Sequence, residues 1–339
     1  MFPSGSIDRL TLLENNWEKN ASYIWGIPLH PLGEMNAITY VLQAQDDLAQ
    51  MRLRTHGFML QALINTVISV IFVRNFILSV RIMRQSPFAL AGWCCLLQAM
   101  AGMTFAGIAM MGFVPSGPSC RQVLWIAGAG LTLSPFCIST VLLQRAYLAH
   151  NRNRYILILG AVLLFPQLLY AYYAWISPTI MVPGIGCISC YPPYVPWMKL
   201  CIDAPINILL SVAFILVVYR QYRQFGSAAW ARLVHDGIQI MCLIVVSNLV
   251  CMIFAAVELI GLLSEFFFVL DWVVTSTLLV RHCVRMGATS SKVTPTQHIR
   301  IPEEAVAHLE TTTSVFVHGL ASTELRSTYR GGRRRLMIR

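Results

Sequence analysis

A chain of 339 residues that is 56% hydrophobic and only 12% charged is not a soluble domain, since soluble domains carry about 25% charged residues. Its net charge of +10 would suit nucleic acid, but the arginines flank long apolar runs, as they do in a polytopic membrane protein, so no nucleic-acid partner is expected. Lysine occurs only at positions 19, 199 and 292, and the ten cysteines lie mostly inside apolar runs, where cysteine behaves as a small buried hydrophobe.

Residues 1–55 are polar and aromatic, with no basic start leading into a short apolar run, so no cleavable signal peptide is expected. Asn20-Ala21-Ser22 is the chain's one Asn-x-Ser/Thr triplet and makes Asn20 a candidate glycosylation site. The first span is expected over about Gly57–Val73, extending toward Val80, and the second over about Phe88–Phe113, rich in Gly, Ala and Met, which suits close helix packing. The third is the clearest. Between Cys120 and Arg145, residues 123–143 form an uncharged run of 21, about 31 Å of helix against a hydrocarbon core of about 30 Å. Ser134-Pro135 sits mid-span, where a proline is tolerated if neighbours re-satisfy the backbone. The fourth span covers about Tyr155–Ile176, and an uncharged connection, Ser177–Trp197, follows it. The fifth, sixth and seventh are expected over about Lys199–Tyr219, Gly237–Ile260 and Leu262–Leu279. Residues 284–339 read as a polar, disordered tail with Ser/Thr runs open to phosphorylation and a basic end suited to anionic lipid.

The expectation is therefore an all-α bundle of seven transmembrane helices over 56–283. Arg74, Arg81, Arg84, Arg145, Arg152, Arg154, Arg220, Arg223, Arg232, Arg281, Arg285 and Lys292 fall on one side of it, and Arg52, Arg54, Arg121 and Lys199 on the other. Twelve against four puts the N-terminus outside and the C-terminus inside. Asn20 and Cys120 then face the oxidising compartment, where Cys120 can pair with Cys187 or Cys190 of the long connection. The Cys-x-x-Cys spacing of that pair lacks the βαβ context of a redox motif.

Ionisable groups within spans are functional candidates, because a charge in hydrocarbon costs about 2.5–3.5 kcal/mol or more. Asp271 lies nearest the midplane, with Asn248 or Thr132 as its structural hydrogen-bonding alternatives. Glu258, Asp203 and Glu265 lie toward the outer ends, where headgroup-level solvation is the plain alternative. Together the four carboxylates would line an outward pocket for a cationic ligand.

Seven spans with the N-terminus outside resemble G-protein-coupled receptors. In the rhodopsin-like class a cysteine tops the third helix and an arginine closes it 25 residues later within an acid-Arg-Tyr triplet. Here Cys120 and Arg145 stand 25 apart, the triplet reads Gln144-Arg145-Ala146, and a tyrosine follows at Tyr147. The second span has no Asp, the sixth no Trp-x-Pro and the seventh no Asn-Pro-x-x-Tyr, so the likeness is to a divergent receptor of fungal or other non-animal type. It implies an extracellular small-molecule or peptide ligand, a heterotrimeric G protein docking around Arg145 and Tyr147, and no cofactor. Membrane terpene cyclases of fungi are the alternative, with Glu258 and Asp271 as the acid pair. A transporter is disfavoured by the lack of an internal repeat. A retinal protein is disfavoured because Lys199 is expected at an outer edge rather than inside a span.

Overall fold

The computed structural model describes residues 9–13, 17–85, 87, 89–149, 154–225 and 228–292; the side chains of Asn20, Arg145, 148–149, 210, 213–225, 228–238 and 286–292 are outside that description. The chain divides into two units, Met1–Met286 and Gly287–Arg339. The expected tail features, from Thr311 to Arg335, lie outside the described residues.

Nine helices carry the described chain: α1 Ala37–Leu42, α2 Leu48–Gln85, α3 Leu90–Met111, α4 Cys120–Ala149, α5 Arg154–Leu164, α6 Gln167–Ile176, α7 Tyr194–Phe225, α8 Ala228–Ala256 and α9 Phe266–Lys292. Two small antiparallel hairpins join them, β1 Ser22–Ile24 with β2 Ile27–Leu29, and β3 Thr179–Val182 with β4 Gly186–Ser189. The fold is therefore mostly helical rather than all-α. Among the described residues, six segments are long and apolar enough to cross a membrane: α2, α3, most of α4, α5 with α6, the end of α8, and Gly261–Arg285. The chain is accordingly a multi-pass membrane protein in its architecture. The side chains of α7 from 213 onward lie outside the described residues, so the helix is not counted among the six; it carries Lys199 and Asp203 in its first turns.

Several boundaries differ from the sequence expectation, each for a local reason. α2 starts at Leu48 because Asp47 Oδ1 accepts the Ala49 and Gln50 amides at 2.8 and 3.2 Å and caps it. It runs unbroken to Gln85, so Arg74, Arg81 and Arg84 ride on the helix. The fourth span breaks at Phe165-Pro166, where proline has no N–H to continue the ladder. The sixth helix stops at Ala256, and a turn and a 3-10 segment, Gly261–Glu265, precede α9. In the Ser177–Trp197 connection, the β3–β4 register pairs Met181 with Cys187 and Val182 with Gly186. Gly184 and Gly186 supply the positive φ of its turn, +80° and +101°.

The surfaces fit lipid. Leu63, Val67 and Val70 on α2, and Leu157, Ile158, Val162 and Leu169 on α5 and α6, are all exposed, a run of apolar side chains that soluble monomers rarely display. Inside, Trp272 of α9 is 1% exposed and packs on Phe72 and Phe105, with ring centroids 4.9 and 5.9 Å away. Two glycines make room for these rings: a Cβ on Gly130 would collide with Trp272, and one on Gly102 with Phe72. The mid-span Ser134-Pro135 of α4 stays helical. Gln98 of α3 donates to the Ser134 carbonyl at 2.8 Å, tying the two helices beside the proline.

Candidate functional site

The site is built at the end of the bundle that carries a disulfide between Cys120, the first residue of α4, and Cys187 in β4, with Cα atoms 5.6 Å apart. Of the two pairings open from sequence, this is the one formed. Cys190 is fully buried as a free thiol, its pKa pushed up to about 12 by burial, with Glu265 adding and Arg9 opposing. The bridge holds the β3–β4 hairpin across the helix ends. Gln61 of α2 donates to the Cys187 carbonyl at 3.0 Å, and Gly57 abuts the hairpin turn at Gly184 and Ile185.

Beneath the hairpin lies a cavity of about 140 Å³, lined chiefly by apolar groups including Ile64, Phe105, Val123 and Ile188, with Gln61, Asn65 and Glu265 as polar members. A cavity of that order accepts a benzene-sized molecule.

Beside the cavity, Glu258 and Glu265 converge on a residue that sequence reading passed over. Arg9 is 2% exposed. Its Nε donates to Glu258 Oε1 at 3.1 Å and its Nη1 to Glu265 Oε1. Weaker contacts at 3.4 Å reach the Ser189 and Leu262 carbonyls, and the Tyr191 ring lies 4.5 Å below the guanidinium carbon. Burial acts to lower the Arg9 pKa, but Glu265 first, then Tyr191 and Glu258, more than reverse this and raise it. Glu265 also accepts the Ser189 amide at 3.1 Å. Burial and Glu265 hold the Tyr191 phenol well above its ordinary range, against Arg9.

Deeper in the bundle, two polar groupings occupy the remaining predicted carboxylates. Asp203 is not solvated at headgroup level: it is 1% exposed, and its Oδ2 lies 2.9 Å from Lys199 one turn earlier on α7. Gln167 of α6 donates to Asp203 Oδ1 at 3.4 Å, and the Lys199 ammonium lies 4.2 Å from the Tyr170 ring centroid. Lys199 itself is 3% exposed, buried among the helices at the start of α7. Asp271 accepts from Asn248 of α8 at 2.9 Å, and Asn248 in turn accepts from Asn207 of α7 at 3.0 Å. The Asn248 alternative for Asp271 is thus the contact made, while Thr132 bonds its own helix at Gly128.

The four carboxylates therefore do not line one pocket. Glu258 and Glu265 meet at Arg9, Asp203 pairs with Lys199, and Asp271 joins an asparagine chain. At the opposite end of α4, Tyr147 is half-buried, and the side chain of Arg145 lies outside the described residues, as does that of Asn20. The Lys199–Asp203 pair had a sequence signal in its i,i+4 spacing. Arg9 had none, because its acidic partners are 249 and 256 residues away. No family model matches the chain, and no curated protein matches it.

Proposed function

We propose that this protein is a seven-span receptor of the plasma membrane or secretory route, N-terminus outside, which senses an extracellular small molecule and couples to a heterotrimeric G protein in the cytosol. The observation that carries the reading is the cavity beneath the disulfide-held hairpin. It is small, mostly apolar and carries a carboxylate, the usual make-up of a small-molecule site. α7 supplies the seventh span, since the Asp203 contact neutralises Lys199 and lets the 32-residue helix sit among the others.

Two further features favour the orientation. The disulfide belongs in an oxidising compartment. Three of the four minority cations on the disulfide side are tied down: Arg54 to the Tyr40 carbonyl at 2.7 Å, Arg121 to Glu34, and Lys199 to Asp203. Trp125 stacks between Trp25 and Trp175, at 6.2 and 5.9 Å, an aromatic group that suits either membrane interface and so bears on depth, not on orientation.

In this reading α4 is the transmitting element. It borders the cavity at Val123, Leu124 and Ala127 and continues as one helix past Arg145. A ligand that prefers one packing of α4 against α3 and α9 shifts the population of inner-end conformations by its differential affinity, with no bond made or broken. The cyclase alternative gains nothing from the geometry, because Glu258 and Asp271 engage different partners. Energy transfer between the chain tagged at Arg339 and a panel of G-protein α subunits tests the reading. A signal is expected with at least one subunit and is expected to be lost in Arg145→Ala at unchanged surface expression. A signal that survives Arg145→Ala would remove that residue from the coupling face.

A further inference from the structure

The Arg9 environment has the form of a binding site with an occupant. A guanidinium presents five N–H donors in a plane, and here its Nε, Nη1 and Nη2 all meet acceptors while an aromatic face covers the carbon. The acceptors do not come from the segment that carries Arg9. Ser189 and Tyr191 belong to the hairpin strand bridged at Cys187 and the residues after it, and Glu258, Leu262 and Glu265 belong to the α8–α9 connection. The Arg9 segment is a single 3-10 turn, Arg9–Leu12, in which Leu10 and Thr11 are exposed. Arg9 is its one fully buried side chain and enters a site made by other elements, while Leu12 and the following Leu13 are half-buried against the cluster of Ile180, Ile188 and Cys190. Glu258 holds its carboxylate there from a left-handed backbone, φ +47°, a conformation that costs a non-glycine residue energy and that clusters at functional sites. The Tyr191 hydroxyl is buried and has no hydrogen-bond partner among the described residues, leaving a polar group to spare at the site. Glu265 belongs both to this site and to the lining of the cavity.

We propose that Glu258, Glu265 and Tyr191 form a guanidinium-binding site that Arg9 fills as a tethered occupant, and that the external ligand is an apolar body bearing a guanidinium, which displaces Arg9 and places its apolar part in the adjoining cavity. This rests on reading that cavity as the ligand site, but it needs no cytosolic partner. Two carboxyl groups and two carbonyls face one cation there, an acceptor-rich lining that selects for cations. The fork of two acids and two carbonyls selects a planar guanidinium over a compact ammonium.

The test uses the full chain in detergent or nanodiscs, with benzylguanidinium as probe and benzyl alcohol as the uncharged control. Arg9→Ala is expected to lower the thermal unfolding midpoint by several degrees, and benzylguanidinium to raise it again in a saturable way, whereas benzyl alcohol does not. The wild-type chain is expected to need about ten-fold or more of the probe for the same shift, the equivalent of about 1.4 kcal/mol of competition from Arg9. Adding Glu265→Gln to Arg9→Ala is expected to abolish the response. If Arg9→Ala does not fold, the same titration is made on Arg9→Lys, which keeps a cation without the planar fork. No shift in a folded Arg9 variant, or an undiminished shift with Glu265→Gln, would overturn the proposal. Because no G protein is present, that failure would leave a positive coupling result standing, and failed coupling would leave a positive titration standing.

Discussion

Asp203→Leu is expected to lower the stability of the bundle by about 3–5 kcal/mol, the cost of leaving a buried charge without its partner. Lys199 and Asp203 are 3% and 1% exposed, the ammonium has the Tyr170 face as its other near neighbour, and Asp271 acts on it only as a more distant acid. Water cannot compensate the orphaned Lys199, and the cation–π contact is worth only about 2 kcal/mol even when desolvated. The reverse change, Lys199→Met, is expected to cost a similar amount by stranding Asp203, whose remaining contact is a long one from Gln167. The double variant Lys199→Met/Asp203→Leu is expected to recover most of the loss, because paired ions replaced by apolar groups of similar volume are often neutral or stabilising. Thermal unfolding of the four chains in the same detergent gives the coupling directly. Additive losses would show that the two groups do not stabilise one another.

Loss of the disulfide has the second large effect. The bridge closes a separation of 67 residues, for which chain-entropy arguments give about 4 kcal/mol. Cys187→Ser is expected to show this loss and also to free the hairpin that roofs the cavity and supplies Ser189 to Arg9. Cys120→Ser is expected to match it, and the double change to cost no more than either single one. Thiol counting distinguishes the pairing: in the folded wild-type chain at pH 8, Cys190 is expected to resist maleimide, since it is buried and its pKa is pushed up to about 12. A Cys120–Cys190 bridge would instead leave Cys187 as the free thiol, and Cys190→Ser rather than Cys187→Ser would destabilise.

What the sequence made legible follows the range of the interactions. The α4 span could be read from an uncharged run bounded by Cys120 and Arg145, because hydrophobic length is a local property. So could the glycine-rich second span, which the structure uses at Gly102 to seat Phe72. The Asp271–Asn248 contact was among the expected alternatives because both are polar groups confined to apolar helices, where each must find a partner. Boundaries set by one side chain or one proline were missed, as at the Asp47 cap and the Pro166 break. The β3–β4 hairpin was missed because its glycine-rich, uncharged segment carries no strand-length alternation. Its form depends on the bridge and on packing against α2. Arg9 was the deepest omission. A lone arginine in an aromatic N-terminal stretch shows no periodicity, and what buries it are acids on a turn more than two hundred residues away. Glu258 and Glu265 were read as lining a pocket for an external cation, so no cation of the chain itself was sought for them.

The measurement that tests the account most directly is guanine-nucleotide exchange on purified G-protein α subunits by the full chain reconstituted in vesicles, beside the variant Val123→Trp, which fills the cavity next to α4. The account predicts faster exchange than empty vesicles for at least one subunit, and a rate changed by Val123→Trp although the substitution is at the end of α4 remote from Arg145. Exchange no faster than empty vesicles with every subunit, from a chain shown to be folded and correctly inserted, would contradict it.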